Sequence, residues 1–331
     1  CEAKFHNSSH GFRPNRSTEH AVAEAYKLMQ LSHCSFVVDV DIKGFFDNVN
    51  HGKLLKQMWA MGIRDKTLIS IVSAMLKAEV AGIGFPEKGT PQGGIISPLL
   101  SNIVLNELDW WINSQWIDMP TERQYATGIS ANGTLINSSR YSSLRLKTKL
   151  KECYIVRYAD DFRIFCKTKS DAEKLYFATR DWLKHRLGLE INEEKSQIVN
   201  LKKNYSEFLG FKMKLNRRGK KSNDEPKFVV KSHVTEKAQE KIVQKAHALI
   251  YEIQYPRDRN GQFTATYMYN SFVIGVHNYY DMATHVHKDF RKIAFPIHKS
   301  LKARLRDRLK TRGQLDKKKI EYTMPKHIQE V

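Results

Sequence analysis

Four aspartates stand where the chain offers carboxylates little reason to be. Asp39 and Asp41 fall in residues 35–42 (SFVVDVDI), an alternating Val-rich stretch, although Asp is depleted in strands. Asp160 and Asp161 follow Ala159 between two apolar β-rich segments, 153–158 (CYIVRY) and 162–166 (FRIFC), so the three residues read as a hairpin connection. If those segments pair with residues 35–42 in one sheet, Asp41 and Asp160 converge at its edge. Converging carboxylates suit Mg²⁺, a hard cation that prefers oxygen ligands. Two such ions about 4 Å apart can activate an attacking 3′-hydroxyl and stabilise a departing pyrophosphate. The protein's share of that chemistry is positioning and charge stabilisation. An Asp-Asp pair is equally an ordinary turn feature, since Asp tolerates left-handed backbone and caps its own chain. Both readings stand at this point.

The elements that would have to position these acids follow from periodicity. Residues 17–30 open with a Ser cap and carry Ala21, Val22, Ala25 and Leu28 at helical spacing. In 35–42, Val38, Val40 and Ile42 share one face and Val37, Asp39 and Asp41 the other. Helical stretches follow at 51–61 and 65–78. Ser97 and Pro98 open a long helix with Leu100, Val104, Leu108 and Trp111 down one side. Residues 119–150 lose the apolar pattern and read as a surface insertion. A helix at 171–187 precedes short strands near 187–191, 196–201, 207–215 and 227–231. The remainder reads as three amphipathic helices. Their stripes are Ala238, Ile242, Ala246, Leu249 and Ile253; Met268, Phe272, Gly275, Tyr279 and Met282; and Phe290, Ala294, Ile297, Leu301, Leu305 and Leu309, the last interrupted by Pro296. No internal repeat is visible.

Charge separates these two parts. The 331 residues carry 55 Lys plus Arg against 35 Asp plus Glu, a net +20. Residues 1–200 hold 26 basic and 22 acidic side chains, whereas 201–331 hold 29 and 13, so +16 of the surplus lies in the last 131 residues. A segment of that kind is a natural partner for a polyanion, because each neutralised phosphate releases counterions. A solvated surface is the plainer alternative, although the surplus exceeds ordinary solubility needs. No apolar run approaches the roughly 18–20 residues of a membrane span. Cys1, Cys34, Cys153 and Cys166 form no CxxC pair and read as reduced thiols of a cytosol-like compartment. The start at Cys1, without an initiator Met or targeting pattern, reads as a trimmed or processed chain.

In order along most of residues 9–280, the sequence resembles the reverse transcriptases of the group II intron maturase type. The resemblance is carried by residues 9–17 (SHGFRPNRS), 41–47 (DIKGFFD), 89–100 (GTPQGGIISPLL), 158–161 (YADD), 189–192 (LEIN) with Lys195-Ser196, and 208–211 (FLGF). Any one of these blocks is weak alone; six in order and at the family's spacing are specific. The resemblance implies an α+β fold, a right-hand polymerase palm with partial fingers, followed by an all-α three-helix thumb or maturase domain. The implied division is partial fingers at 1–34, palm with finger-derived helices and the 119–150 insertion at 35–232, and a basic thumb at 233–331.

It also implies roles residue by residue. Asp41 and Asp160 become the principal metal ligands, Asp161 the third carboxylate, and the Ile42 carbonyl a backbone ligand, for two Mg²⁺ ions with Mn²⁺ as an alternative. Asp39 and Asp47 match no ligand position and read as local hydrogen-bonding groups. Phe46 resembles the bulky side chain that excludes a ribose 2′-hydroxyl, with core packing as the other reading. Gln92 and Gly93 resemble the floor under the incoming nucleotide. Lys195 resembles the cation near the pyrophosphate, or is a lone Lys in a polar loop. Arg13 and Arg16 resemble template-side fingers residues, or serve the surface. Phe208, Leu209 and Gly210 resemble the grip on the primer strand. Residues 276–280 (VHNYY) resemble the aromatic thumb segment, while His285 and His287 read as a solvated helix start rather than a metal site.

The implied activity is RNA-templated addition of dNTPs to a DNA 3′ end, together with binding of group II intron RNA that assists splicing and mobility. The implied partners are intron RNA, an RNA template with a DNA primer, and dNTPs, with no membrane. The implied location is a bacterial cytoplasm in association with nucleic acid, an organellar origin remaining open. Two departures qualify it: fingers sequence that the family carries before the block at residue 9 is not in this chain, and no HNH-type endonuclease follows the thumb. Two alternatives remain, an RNA-binding maturase fragment without polymerase activity and a related reverse transcriptase with a host-defence role.

Overall fold

The computed structural model describes residues 1–311 apart from 31, 80–83, 91–93, 126–127, 130–134, 221–223, 225 and 257–260. Two compact units divide between Ser206 and Glu207. The first contains α1 (Thr18–Gln30), β1 (Phe36–Val40), α2 (Phe45–Asn48), α3 (His51–Ala60), α4 (Lys66–Leu76) and α5 (Ser97–Ser114). It continues with β2 (Gly128–Ile129), β3 (Leu135–Ile136), α6 (Ser138–Lys147), β4 (Cys153–Tyr158), β5 (Asp161–Cys166), α7 (Lys169–Trp182) and β6 (Gln197–Asn200).

Its centre is an antiparallel sheet in the order β4-β5-β1-β6. β1 pairs β5 from Phe36↔Cys166 to Val40↔Phe162, and β6 along its other edge from Phe36↔Asn200 to Asp39↔Gln197. The alternation expected for β1 does not separate core from solvent, because Val37, Val38, Asp39 and Val40 are all buried. α7 packs on β1 and β5, and α1 and α5 pack on β4. A strand flanked on both sides and covered by helices has no wet face. Phe162 and Phe165 are wholly enclosed, which contributes on the order of 1.5–3 kcal/mol for each side chain. Cys34, Cys153 and Cys166 are buried free thiols, and burial pushes Cys34 and Cys153 up to about 12, out of the reactive range.

α5 keeps the expected stripe of Leu100, Val104 and Leu108, but Ser101, Asn102, Asn106, Asp109 and Asn113 are buried as well. Such a helix is enclosed on several sides and its polar residues need internal partners. Within the expected insertion, α6 buries Leu144 and stacks Tyr141 on Trp116 at 5.8 Å, so that segment contributes apolar contacts of its own. Residues 187–191 form no strand; Ile191 makes one isolated bridge to Ile42.

The second unit contains β8 (Phe211–Lys220), β9 (Pro226–Val234), α8 (Glu236–Gln254), α9 (Gly261–Tyr280) and α10 (Val286–Thr311), entered through β7 (Ser206–Phe208). The strands form a sheet in the order β7-β8-β9. The division at Ser206 differs from the boundary expected at 232/233: the long β8–β9 hairpin goes with the helices, since β9 packs on α10. The stripe expected on α8 packs as read, with Ile242, Ala246, Leu249 and Ile253 buried and Ala238 packed beside them. On α10, Leu305 is buried and Phe290, Ile297 and Leu301 pack against the core, together with Ile293 from outside the stripe, while the Leu309 side chain lies outside those described. The α9 stripe is rotated. Ala265 and Tyr269 are buried, with Phe272 and Val273 packed beside them, whereas Met268 is about half exposed, and Met282 lies past the helix end. α9 is apolar on several sides, so the face it buries is set by α8 and α10 rather than by its own period. No described helix is long and apolar enough to cross a membrane.

Candidate active site

The β4–β5 connection is tighter than the three residues expected. Tyr158 pairs with Asp161, which leaves Ala159 and Asp160 as a two-residue turn. Two-residue hairpin turns need left-handed backbone, and here Ala159 adopts it at φ +57°. That conformation costs roughly 1–2 kcal/mol for a residue with a Cβ, so something must hold it.

Arg157 does so. Its Nη1 donates to the Ala159 carbonyl at 2.7 Å and to Asn102 Oδ1 at 2.9 Å, while Nε and Nη2 reach the Asp109 carboxylate at 2.8 and 2.5 Å. Neither charged side chain of the Arg157–Asp109 pair has any exposure. From the opposite side, residues 8–10 run beside β4. Arg157 N donates to the Ser8 carbonyl at 2.9 Å, and His10 N to the Arg157 carbonyl at 2.8 Å. Gly11 then lies directly on the turn: a Cβ there would stand 2.4 Å from the Ala159 nitrogen. Asn102 Nδ2 fixes the Gly11 carbonyl at 2.8 Å.

Asp41 comes to this turn by register. The last β1–β5 pair is Val40↔Phe162, so the next residue of β1 arrives level with Asp161 and beside the turn. The chain leaving β1 is tied to residues 190–196. Asp41 N donates to Ser196 Oγ at 3.1 Å, Asn192 N to the Asp41 carbonyl at 2.8 Å, and Lys43 N to the Glu190 carbonyl at 2.8 Å. Ile42 is buried in its bridge to Ile191.

The carboxylates act on one another. Burial, with the charges of Asp161 and Asp41 beside it, holds the Asp160 carboxyl above its ordinary value, against a backbone hydrogen bond and Arg157. The Asp161 carboxylate accepts from Arg163 Nη1 at 2.6 Å, and Arg163 Nε lies 2.9 Å from Asp39. Asp39 also accepts from Ser206 Oγ at 3.0 Å and is buried, a local partner as its position implied.

Oxygen-only donors suit a hard divalent cation, and a cation there would offset both the burial that chiefly raises the Asp160 carboxyl and the lesser repulsion from Asp161 and Asp41. Asp41 and Asp160 fit that role. Asp161 is engaged by Arg163, and among the described residues no three His, Cys, Asp or Glu side chains already form a metal-holding cluster.

The remaining candidates are placed as follows. Phe46 is half-buried, edge-on to Phe45 at 5.2 Å. Its carbonyl accepts from Thr90 N at 2.7 Å, which anchors the segment leading into Gln92 and Gly93. Those two lie outside the described residues. Lys195 is exposed. Arg13 is not presented outward: its guanidinium is buried and bonds Glu2 and the His6 and Ser9 carbonyls at 2.6–2.9 Å. Arg16 bonds Asn7 through its carbonyl and side-chain oxygens at 2.7 and 2.9 Å. In the second unit, Leu209 and Gly210 form the β7–β8 turn at φ +53° and +82°. Tyr279 Oη donates to the Leu209 carbonyl at 3.1 Å, Gly210 lies against Tyr280, and Phe208 is buried.

The sequence alone assigns no role to Arg157, Asn102, Asp109 or Arg163, nor to Gly11 within its motif block. The available signal was a charged residue in each of two otherwise apolar strands, and Asn102 and Asp109 seven residues apart, on one face of an apolar helix.

The family described as reverse transcriptase (RNA-dependent DNA polymerase) matches residues 1–213. Protein YkfC of Escherichia coli (strain K12) is 32% identical over 223 residues, which cover 64% of this chain and 56% of that protein. Group II intron-encoded protein LtrA of Lactococcus lactis subsp. cremoris is 31% identical over 257 residues, 66% of this chain and 41% of its own. The putative COX1/OXI3 intron 2 protein of Saccharomyces cerevisiae (strain ATCC 204508 / S288c) is 29% identical over 246 residues, 64% of this chain and 27% of its own. The match thus spans between about a quarter and just over half of these relatives' lengths. Among solved structures, apo telomerase from Candida tropicalis superposes with a TM-score of 0.45 at 10% identity, covering 88% of this chain and 50% of that one. Since the family match takes in well over half of its residues, the chain belongs to the reverse transcriptases, in the company of the group II intron-encoded reverse transcriptases and maturases whose motifs it carries.

Proposed function

We propose that the chain catalyses RNA-templated addition of dNTPs to a DNA 3′ end, as part of an intron-encoded reverse transcriptase that also binds its intron RNA and assists splicing. The observation that carries this reading is the register Val40↔Phe162, which delivers Asp41 to the turn holding Asp160. In it Asp41 and Asp160 would hold Mg²⁺, with the Ile42 carbonyl as a further oxygen and Asp161 available only on release from Arg163. Bound Mg²⁺ supplies Lewis acidity toward the primer 3′-hydroxyl and the phosphates.

The chain's own residues then position and exclude. Arg157 and Gly11 keep the turn in one conformation, so that Asp160 is presented without reorganisation. Phe46 closes the space beside the sugar, favouring dNTPs over NTPs. Gln92 and Gly93 support the nucleotide, and Lys195 the departing pyrophosphate. Arg16 serves the template side, whereas the internal bonds of Arg13 favour a role in shaping residues 2–9. Phe208, Leu209 and Gly210 hold the primer strand, and the basic second unit meets intron RNA through backbone and shape.

Primer extension on an RNA template with dNTPs and Mg²⁺ tests this. Extension by the native chain and none by the Asp160→Ala, Asp161→Ala double variant is the expected result. Tight, salt-sensitive RNA binding with no extension by either would replace the polymerase reading with that of an RNA-binding platform.

A further inference from the structure

The first unit contains a cavity of about 440 Å³ lined by none of the residues assigned above. Lys53 and Lys56 of α3, Lys88 ahead of Gly89, and His185 after α7 line it, and no Asp or Glu does. Gly52 and Gly188 complete part of the wall, and a Cβ at Gly188 would meet nothing within 4 Å. The space is open at that side.

Local structure explains how these cations gather. α7 continues into one π turn, Leu183–Leu187, which carries Lys184, His185 and Arg186 and closes at Gly188 with φ +69°. His185 Nδ1 lies 2.8 Å from the Asp181 carbonyl, so Nδ1 bears the hydrogen and Nε2 is left as the ring's other polar atom. Across the cavity, Asn50 caps α3 by accepting from Lys53 N at 2.9 Å. The first turn of a helix keeps unbonded N–H groups and a partial positive charge.

Among the described residues, none of the three ammonium groups is paired with a carboxylate. Lys88 Nζ donates to Asn48 Oδ1 at 2.7 Å, a neutral group. Burial and the neighbouring Arg186 lower the Lys53 ammonium, with Lys56 adding to the effect and Glu107 opposing it. Glu107, however, is bound to Arg186 at 2.7 Å. Several like charges around one open space raise the local potential for an anion.

We propose that this cavity binds phosphate groups, through the ammonium groups of Lys53, Lys56 and Lys88 and the amino end of α3. The phosphates come from one of two sources, a free polyphosphate or the backbone of a bound RNA strand. The inference is independent of whether the chain polymerises.

The test compares a Lys53→Gln, Lys56→Gln, Lys88→Gln variant with a control of equal charge change, Lys66→Gln, Lys77→Gln, Lys174→Gln, whose side chains are exposed elsewhere on the same unit. Two probes are titrated calorimetrically: inorganic tripolyphosphate, and a 20-nucleotide single-stranded RNA over a series of salt concentrations. Tripolyphosphate should bind the cavity variant at least about tenfold more weakly than the native chain, with the control unchanged. If strand phosphates use the cavity, the RNA salt slope also becomes shallower, by about 0.7 for each phosphate no longer neutralised. If only tripolyphosphate weakens, the ligand is a free polyphosphate. Lys56→Gln alone, an exposed position, gives a partial loss with an unchanged melting temperature and separates site from fold. Unchanged binding of both probes, or an equal loss in the control, would overturn the proposal.

Discussion

Arg157 of β4 and Asp109 of α5 form an ion pair with no solvent exposure on either side chain, 48 residues apart in sequence and directly beneath the Ala159–Asp160 turn. A buried pair of this kind adds little over a well-packed apolar substitute, but removing one member strands the other's charge. Asp109→Ala is therefore expected to destabilise the protein by about 3–5 kcal/mol, read by urea denaturation. Asp109→Ala combined with Arg157→Met should recover much of that stability but little primer extension, because the Ala159 carbonyl loses its donor.

Gly11→Ala separates position from stability in another way. Its new methyl would stand 2.4 Å from the Ala159 nitrogen, which is backbone and cannot swing aside. A melting experiment should show a loss of roughly 1–3 kcal/mol, the usual range for overpacking. Extension should fall further than stability does. Native extension by Gly11→Ala would show that the turn tolerates displacement.

His10 governs part of the acid response. Burial, and then the charges of Arg16, His20, Arg13 and Arg157, lower it from 6.5 to about 4, and neither ring nitrogen has a hydrogen-bond partner among the described residues. Below pH 6.5 the unfolded chain takes up a proton that the folded chain refuses, so stability falls as pH drops from about 6.5 to about 4. The loss is on the order of 3 kcal/mol at its full extent. Chemical denaturation of His10→Leu across that window should show a flatter profile than the native chain.

Phe46 offers a specificity prediction. Phe46→Val opens space beside the proposed sugar position, and NTP incorporation relative to dNTP should rise at least about tenfold, within the range that one side chain's bulk can discriminate. The comparison is single-nucleotide addition with each substrate. An unchanged ratio, with extension intact, would return Phe46 to its contact with Phe45 and a packing role.

The acids, their strand and the hairpin were legible because they break local expectations: Asp in a Val-rich strand and Asp-Asp between two apolar runs. The tether was not. Nothing in the Arg157 neighbourhood repeats or caps, and its partners Asn102 and Asp109 become visible only once α5 lies on β4. Alternation failed for β1 because both of its faces are covered. The α9 stripe failed because a helix apolar on several sides leaves its buried face to its neighbours. The turn was read one residue too long, since Asp161 pairs with Tyr158 despite being a poor strand former.

The register that delivers Asp41 also sets when the site can come into being. Val40 meets Phe162 and Ile42 meets Ile191, each across more than one hundred residues of intervening chain. The hairpin that carries Asp160 and Asp161 can form locally, but Asp41 joins it only when the sheet closes, and the carboxylates repel one another once they are brought together. Long-range pairings are the slow ones in folding. During synthesis, then, the apex stays unformed until about residue 200 has been made. Arrested or truncated chains that already hold every carboxylate would still lack a site, and acquisition of metal affinity would time the closure of the sheet.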